Sequence, residues 1–544
     1  MAEFAEPPMS RDQLVLFPDK LDNSIGSGAP VRLLDAILDR LDWKEWESGY
    51  NLVRGQPPIH PRVIAGVILY GLLKGIRSTR LLEEAIQYRL DFRWLVQGRS
   101  IDHTTISKFR TKHAEQIRDL YVKIAVIAQE TGDLSLNTLG FDGTRIRANN
   151  RRSATRSPEA LRKAKKELGE KYDELNASIS KLDEEDAKRL GESNLAEWRK
   201  ELENVEQRTK KIDKVLAELD RLEKEKLKVP NKLPTTDPHC RVMPNKEGGF
   251  AANYTPTATV DIDSGLIVHA EVITSTEEDK YLISSVNEVV ESFGLEKPPA
   301  QVLADGMMST GENLAACESL GINLYSPIKL DVEDNPAIRN DLSQPVAVKD
   351  IDRLPITTTN HKDGTNSKHF SKTAFVYNEE KDSYWCPAGK ELPYKNQTSQ
   401  TDGGRLRVRR RYYANPQDCA ACPLRSRCIK GPAKSRTINH EQNELLRIAH
   451  AKKMSGEEAK KIYEKRRHAG ERPFAMIKNH FGARQFLTRS LTKVKTEWHW
   501  LVAAFNIHRL MGLIRSKTGP PHVGGRASCI SPSTVPLTPN LQTL

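Results

Sequence analysis

Two short apolar runs, each closed by Asp-Gly, set the strongest limit on how this chain can fold. Leu139-Gly-Phe-Asp-Gly-Thr144 and Gln301-Val-Leu-Ala-Asp-Gly306 both read as strands with a carboxylate at the end. Short apolar runs without alternation suit strands covered on both faces. From 254 to 328 the order is strand, strand, helix, strand, helix. The strands 254–261 and 265–273 are joined across Asp261-Ile-Asp-Ser-Gly265, followed by a helix at 281–293, a strand at 300–304, a helix at 311–320 and the apolar Ile322-Asn-Leu-Tyr325. With the Asp142 run in front, this predicts a mixed sheet flanked by helices, with both aspartates at strand ends, where open α/β sheets hold their sites.

Other segments surround this sheet. Residues 1–30 are polar and proline-rich, a loose arm without the basic start or apolar stretch of a signal peptide. Residues 31–130 read as an all-α domain. Pro57-Pro-Ile-His-Pro-Arg62 leads into a helix apolar over most of its circumference, and a second helix, 78–88, has Ser78 as cap with Leu81, Leu82 and Ala85 facing inward. A polar helix, 102–112, capped by Asp102, is expected to expose Thr105, Lys108, Arg110 and Lys112. This is the pattern of a helix-turn-helix DNA reader, and equally of a helical bundle with a basic surface. Residues 157–235 contain two amphipathic helices separated by Gly191-Glu-Ser-Asn194, an inserted antiparallel hairpin. It could be a dimer arm, a DNA-gripping arm or a passive insertion. The stretch 331–440 is polar and reads as an insertion too poor in apolar residues to build its own core. Helices follow over 441–515, with Leu501, Ala504, Phe505 and His508 on one side of the last. The Gly-, Pro-, Ser- and Thr-rich 516–544 reads as a disordered tail.

The formal charge of +12 favours an anionic partner. Five arginines fall within 405–411 and a second basic cluster at Lys465-Arg-Arg467. A solvated face is the plain reading of such runs. No apolar run is long enough to span a bilayer, and seven cysteines fit a reduced cytoplasm better than a disulfide framework.

Asp-Gly alone is more often a turn than a metal site; the joint placement of Asp142 and Asp305 is what singles them out. A third acid, Glu471, lies among cations in Tyr463-x3-Arg467-x3-Glu471-x6-Lys478. At 100° per residue Tyr463, Arg467, Glu471, Phe474 and Lys478 share a sector about 80° wide. A salt-bridged surface helix gives the same pattern, and Pro473 implies a kink or a new helix start. Three carboxylates suit Mg²⁺ or Mn²⁺, and a pair of such ions suits phosphodiester chemistry.

Here the chain resembles the Asp-Asp-Glu (DDE) transposases of bacterial insertion sequences, whose core is ribonuclease-H-like. The likeness runs over 57–510. It rests on Pro58-Ile-His-Pro-Arg-Val63, Tyr70-Gly-Leu-Leu-Lys-Gly75, Asp102-His-Thr-Thr-Ile-Ser-Lys-Phe-Arg110, Phe141-Asp-Gly-Thr144, Asp237-Pro238 with Arg241-Val-Met243, Leu303-Ala-Asp-Gly306, the Tyr-Arg-Glu-Lys block and Gly482-Ala-Arg-Gln-Phe486. The resemblance implies Asp142, Asp305 and Glu471 as catalytic acids holding two Mg²⁺ or Mn²⁺ ions, with Lys478 and either Arg466 or Arg467 on phosphates. Arg466 has the family's spacing from Tyr463, whereas Arg467 has the spacing to Glu471. The implied activity is nicking of element ends and joining of the 3′-hydroxyl to target DNA. The implied partners are terminal inverted repeats and target duplex, with a homodimer on the paired ends in the bacterial cytoplasm at the nucleoid. The alternatives are a DNA-binding regulator or a nuclease that does not rejoin. The catalytic domain would comprise 131–156, 236–330 and 441–515.

Cys386, Cys419, Cys422 and Cys428 include one C-x2-C knuckle and suit a structural Zn²⁺ that would replace the missing core of 331–440. Free thiols packed beside Tyr384, Trp385 and Tyr412 are the alternative. Cys240, Cys317 and Cys529 read as unpaired.

Overall fold

The computed structural model describes residues 20–518, apart from 51–56, 152–153, 181–191, 226, 228, 246–247, 329–335, 338–343, 345, 361–365 and 403–404. Most of the N-terminal arm, the break between the two hairpin helices, the tail from 519 and Cys529 lie outside the described residues.

The N-terminal part is helical: α1 (Pro30–Asp39), α2 (Pro61–Leu73), α3 (Thr79–Tyr88), α4 (Leu90–Leu95), α5 (His103–Lys112) and α6 (Ala114–Glu130), with one short helical turn at Lys44–Glu47 between the first two. Pro61 starts α2, His60 Nδ1 accepts from Arg62 N at 3.1 Å, and every residue but Arg62 is buried, as expected of a helix apolar all round. Ser78 caps α3, but its inward stripe is Leu82, Ala85 and Ile86. Leu81 is 52% exposed, a correction: one residue before an i, i+3, i+4 stripe lies about 100° away from it. Asp102 caps α5, accepting from the amides of Thr104 and Thr105 at 2.9 and 3.0 Å.

The central sheet contains β1 (Thr138–Gly143), β2 (Ile146–Arg147), β3 (Arg241–Pro244), β4 (Phe250–Asp261), β5 (Ile267–Ile273), β6 (Gln301–Ala304) and β7 (Asn323–Tyr325). Its main path is β5-β4-β1-β6-β7. The pairs β5/β4 and β4/β1 are antiparallel, and β1/β6 and β6/β7 are parallel. Parallel neighbours need crossovers, and the helices at Leu282–Ser292 and Gly311–Ser319 lie in the segments leading into β6 and β7. Leu139, Phe141, Val302, Leu303 and Ala304 are buried, as the two apolar runs required. This mixed α/β arrangement is compatible with the core expected of a DDE enzyme.

Between β2 and β3 stand the long helices α7 (Pro158–Ser180) and α8 (Glu192–Lys224), tied by Lys165–Asp213 at 2.8 Å and Lys171–Glu201 at 2.5 Å. At their base Glu218 takes Arg241 at 2.5 Å, anchoring the hairpin on β3.

Residues 331–440 do build a core, which corrects the expectation from their polarity. The strands β8 (Val376–Asn378), β9 (Ser383–Trp385), β10 (Glu391–Asp402), β11 (Arg405–Tyr413) and β12 (Thr437–Glu441) form an antiparallel sheet in sequential order. Phe370, Phe375, Tyr384, Leu392, Tyr412 and Ile438 are buried together beside it. An antiparallel sheet packed on one face needs apolar residues only at alternate positions, so mean polarity hides its core.

The chain then forms α9 (Glu444–Ser455), α10 (Glu457–Glu464), α11 (Arg466–Ala475) and α12 (Leu491–Thr518). Glu441 ends a strand rather than opening a helix. From Trp498 to Ile507 every residue of α12 is buried, whereas His508 is exposed, contrary to expectation. The buried Asn506 side chain accepts from Ile267 N at 2.9 Å and donates to Ile267 O at 2.8 Å and Tyr121 O at 3.1 Å, joining α12 to β5 and α6. Residues 482–486 fasten the N-terminal helices to the sheet. Arg77 donates to Gly482 O and Gln485 O, both at 2.8 Å, and Phe486 N donates to Arg147 O at 2.9 Å.

Candidate active site

Phe141 and Ala304 are paired residues on the parallel strands β1 and β6. The next residue of each chain is therefore an aspartate, so Asp142 and Asp305 stand side by side where the strands end. The preceding side chains are buried, while both aspartates are part-exposed. Asp142 Oδ1 accepts from Gly143 N at 2.9 Å, and Asp305 Oδ1 accepts from Met307 N at 2.9 Å, capping a short turn.

The helix α11 lies against this pair. Gly470 is buried, and a Cβ built on it would be 2.8 Å from Asp142 Oδ2. Only a glycine lets the helix backbone come so close, and the next residue is Glu471, which is exposed. One turn earlier Arg466 Nη2 lies 3.1 Å from Asp142 Oδ2, whereas Arg467 is exposed. The arginine on the acidic pair is thus Arg466. Tyr463 has its hydroxyl pKa raised by burial; Arg466, which hydrogen-bonds it, opposes the shift, and Asp305 and Asp142 add to it. The phenol therefore sits within the field of both aspartates. Pro473 lies inside α11 without ending it, and a π-helical turn, Met476–His480, follows. Such turns recur at functional sites. From it Lys478 Nζ donates to Thr144 Oγ1 at 2.5 Å, just beyond Asp142.

Sequence reasoning missed a fourth acid. Glu278 is buried, and its Oε1 accepts from Arg145 Nη1 at 2.6 Å. A Cβ on Gly143 would lie 2.1 Å from Glu278 Oε2, so the Gly of Asp-Gly makes room for this carboxylate. Burial raises its pKa, Arg145 opposes that, and Asp305 and Asp142 push the same way as burial. Its segment, Glu277-Glu-Asp279, carries no spacing that would have marked it.

The transposase DDE domain family matches residues 385–511, which include Glu471, Arg466 and Lys478. The transposase domain DUF772 matches residues 19–112. The chain belongs to the DDE transposases of insertion sequences. No curated protein matches it. Asp142 and Asp305 lie between the two matched segments.

In the transposase, α5 ends the DUF772 match. Lys108 is exposed; Thr105 is part-buried, its hydroxyl donating to Asp102 Oδ2 at 2.6 Å. Lys112 is exposed, donates to Gly49 O at 3.0 Å and lies 3.9 Å over the Tyr50 ring. Arg110 departs from expectation: it points inward, Nη1 donating to Arg77 O at 2.7 Å, and burial lowers its pKa to about 10. It lies on the Ile106–Phe109 side of α5, where the helix packs.

Two of the other resembling motifs prove structural. Besides 482–486, Asp237 is buried, accepting from Tyr254 OH at 2.9 Å and Ser490 N at 3.2 Å.

Cys386, Cys419, Cys422 and Cys428 of the transposase line one pocket and form no disulfide; Cys240 and Cys317 are buried free thiols. Lys390 N donates to Cys386 Sγ at 3.3 Å, across a tight turn through Gly389. Burial raises the Cys386 pKa, backbone donors at Lys390 and Ala388 lower it, and the neighbouring cysteines raise it again. Among the described residues no group of three or more His, Cys, Asp or Glu side chains is placed to hold a metal ion, and no helix is long and apolar enough to cross a membrane.

Proposed function

We propose that Asp142, Asp305 and Glu471 are the catalytic acids of this transposase, which nicks element ends and transfers the freed 3′-hydroxyl to target DNA. What carries this reading is the in-register position of Asp142 and Asp305, with the backbone of Gly470-Glu471 against the first. We read β5-β4-β1-β6-β7 as a ribonuclease-H-like core contributed by 131–156, 236–330 and 441–515. The helical segment 31–130 is then the DNA-binding domain, with 157–235 and 331–440 inserted.

The donor set suits hard divalent cations: all three are carboxylates, and a guanidinium already rests on Asp142. Mg²⁺ or Mn²⁺ ions held between Asp142 and Asp305, one of them completed by Glu471, would supply an activated water and neutralise charge at the scissile phosphate. The chain's own residues do the rest. Arg466, released from Asp142, and Lys478 orient the strand through its phosphates, with Arg467 beside them. Tyr463 steadies Arg466. Glu471 turns inward as DNA closes the site, since catalytic geometry tightens in the complex. Thr105, Lys108 and Lys112 of α5 face element-end duplex, and Arg110 supports them from behind. The active species on paired ends is a homodimer in the bacterial cytoplasm, at the nucleoid.

Cys386, Cys419, Cys422 and Cys428, which line one pocket, have the donor chemistry for a structural Zn²⁺. Elemental analysis should find one zinc per chain, lost on replacing Cys419 and Cys422 together with serine.

The deciding experiment is cleavage and strand transfer on duplex carrying the element's end. Wild type should nick and join with Mg²⁺ or Mn²⁺ and stop in EDTA. Asp142→Asn and Asp305→Asn should lose both steps and keep end binding, which depends on phosphate cations. Equal loss of binding and cleavage would make the acids structural, and nicking without joining would leave a nuclease.

A further inference from the structure

The arginine-rich run at 405–411, assigned no role above, lies in a β-ribbon that extends beyond its sheet. β9 pairs with β10 only at 391–393, and β12 pairs with β11 only at 409–413. Between those limits, 399–402 and 405–408 pair with each other and with no other described strand, while 396–398 pair with 409–411 where β12 still flanks β11. At ~3.3 Å per residue the free ribbon is roughly 13 Å long.

Its composition is lopsided. One strand reads Asn396-Gln-Thr-Ser-Gln-Thr-Asp402 and the other Arg405-Leu-Arg-Val-Arg-Arg-Arg411. The register sets Asp402 opposite Arg405, Gln400 opposite Arg407, Thr398 opposite Arg409 and Asn396 opposite Arg411. Residues 391–413 hold six Lys and Arg against two acids. Asn396, Gln397, Ser399 and Gln400 are exposed. At the root the cations are partly held: Arg409 on Glu441 at 3.3 Å, with Arg411 and Lys395 flanking the Tyr413 ring at 5.1 and 5.0 Å.

A two-stranded ribbon without a core is marginal in water, and a file of arginines adds self-repulsion. Both costs fall against a polyanion. A duplex major groove is wide enough for a two-stranded ribbon, and guanidinium, amide and hydroxyl groups all serve phosphate and sugar oxygens. Protection of a sheet edge by charge needs fewer cations, at one or two positions. We propose that the free end of the β10–β11 ribbon lies in a groove of duplex DNA and contacts its sugar-phosphate backbone, a second DNA-binding element apart from α5. This rests on the reading that duplex DNA is the substrate.

The test uses the full chain with Arg405→Gln and Arg407→Gln together, beyond the packed part of the sheet, and an unchanged melting curve as control. Binding to element-end and to random duplex is measured against salt. The slope of log K on log salt should fall by about 1.8, ~0.9 for each phosphate no longer neutralised, on both duplexes alike. The paired Lys variant should restore it. An unchanged slope and affinity would overturn the proposal and leave a solvated edge. Weakening confined to the element end, unrescued by Lys, would overturn it in favour of base contacts. Cleavage by wild type is read in the same samples: cutting with no change in slope sinks the ribbon alone. A wild type that neither binds nor cuts duplex sinks both readings.

Discussion

The sheet carrying Asp142 and the sheet beside the cysteines are filled by different means. Around the first, β1 and β6 are covered on both faces and α12 is buried along ten consecutive residues. Hydrophobic burial and the β1–β6 ladder hold Asp142 and Asp305 in register, while their carboxylates make local contacts, to Gly143 and Arg466 and to Met307. The second sheet has a small aromatic core and relies on polar fastening. Asp382 accepts from Tyr412 OH at 2.6 Å and Tyr377 OH at 2.9 Å, and pairs with Arg410 across the sheet. Asp142 and Asp305 meet neighbouring amides and one arginine, whereas Asp382 ties β8 and β11 together.

The largest expected effect comes from breaking the apolar packing. Phe141→Ala, emptying a buried site one residue before Asp142, should cost ~3–5 kcal/mol, read from denaturant midpoints. Tyr412→Phe, removing one hydroxyl from Asp382 in the second sheet, should cost about 1–2 kcal/mol. It should speed amide exchange in β11 before β1. Equal costs would erase the contrast between the sheets.

Gly470→Val tests the close approach of α11. A side chain there meets Asp142, and a displacement of about 1 Å near the chemistry can cost ~100-fold in rate. Strand transfer should fall on that scale while end binding stays within a few-fold; unchanged transfer would show that α11 need not touch Asp142.

The smallest effect is a pH dependence within the better-packed part. Burial, with Lys112 adding, lowers the His113 pKa from 6.5 to about 4, and burial lowers that of His499 likewise. Both are neutral when folded. Their stabilisation is complete above the unfolded value of 6.5 and is lost as pH falls towards 4. Melting temperature should decline across that window. His113→Phe, which keeps the ring packing with Trp46 and Phe109, should flatten the decline; an unaltered profile would assign it to other groups.

The sequence disclosed more of the first sheet than of the second. Its apolar strands and capped helices are local signals, and so is the proline that starts α2. Leu81 and His508 were misplaced because a wheel fixes relative angle but not which face meets the core. Arg110 has the composition of a surface residue; its burial follows from the packing of α5 on Arg77 and α12. The core of 331–440 escaped notice because its buried residues are scattered singly, Tyr384, Leu392, Tyr412 and Ile438 on four strands and Phe370 and Phe375 outside the sheet.

Sequence alone determined that Asp142 and Asp305 end strands, because short apolar runs and turn residues act over a few positions. It also marked the cation-rich block around Glu471 and the four cysteines as chemistry in want of a place. Tertiary structure decided that the two strands are parallel neighbours in register, and that Arg466 rather than Arg467 meets Asp142. It alone brought Glu278 to the same spot, through a glycine that leaves room for its carboxylate. Those choices depend on contacts between segments more than a hundred residues apart, for which a linear pattern holds no signal.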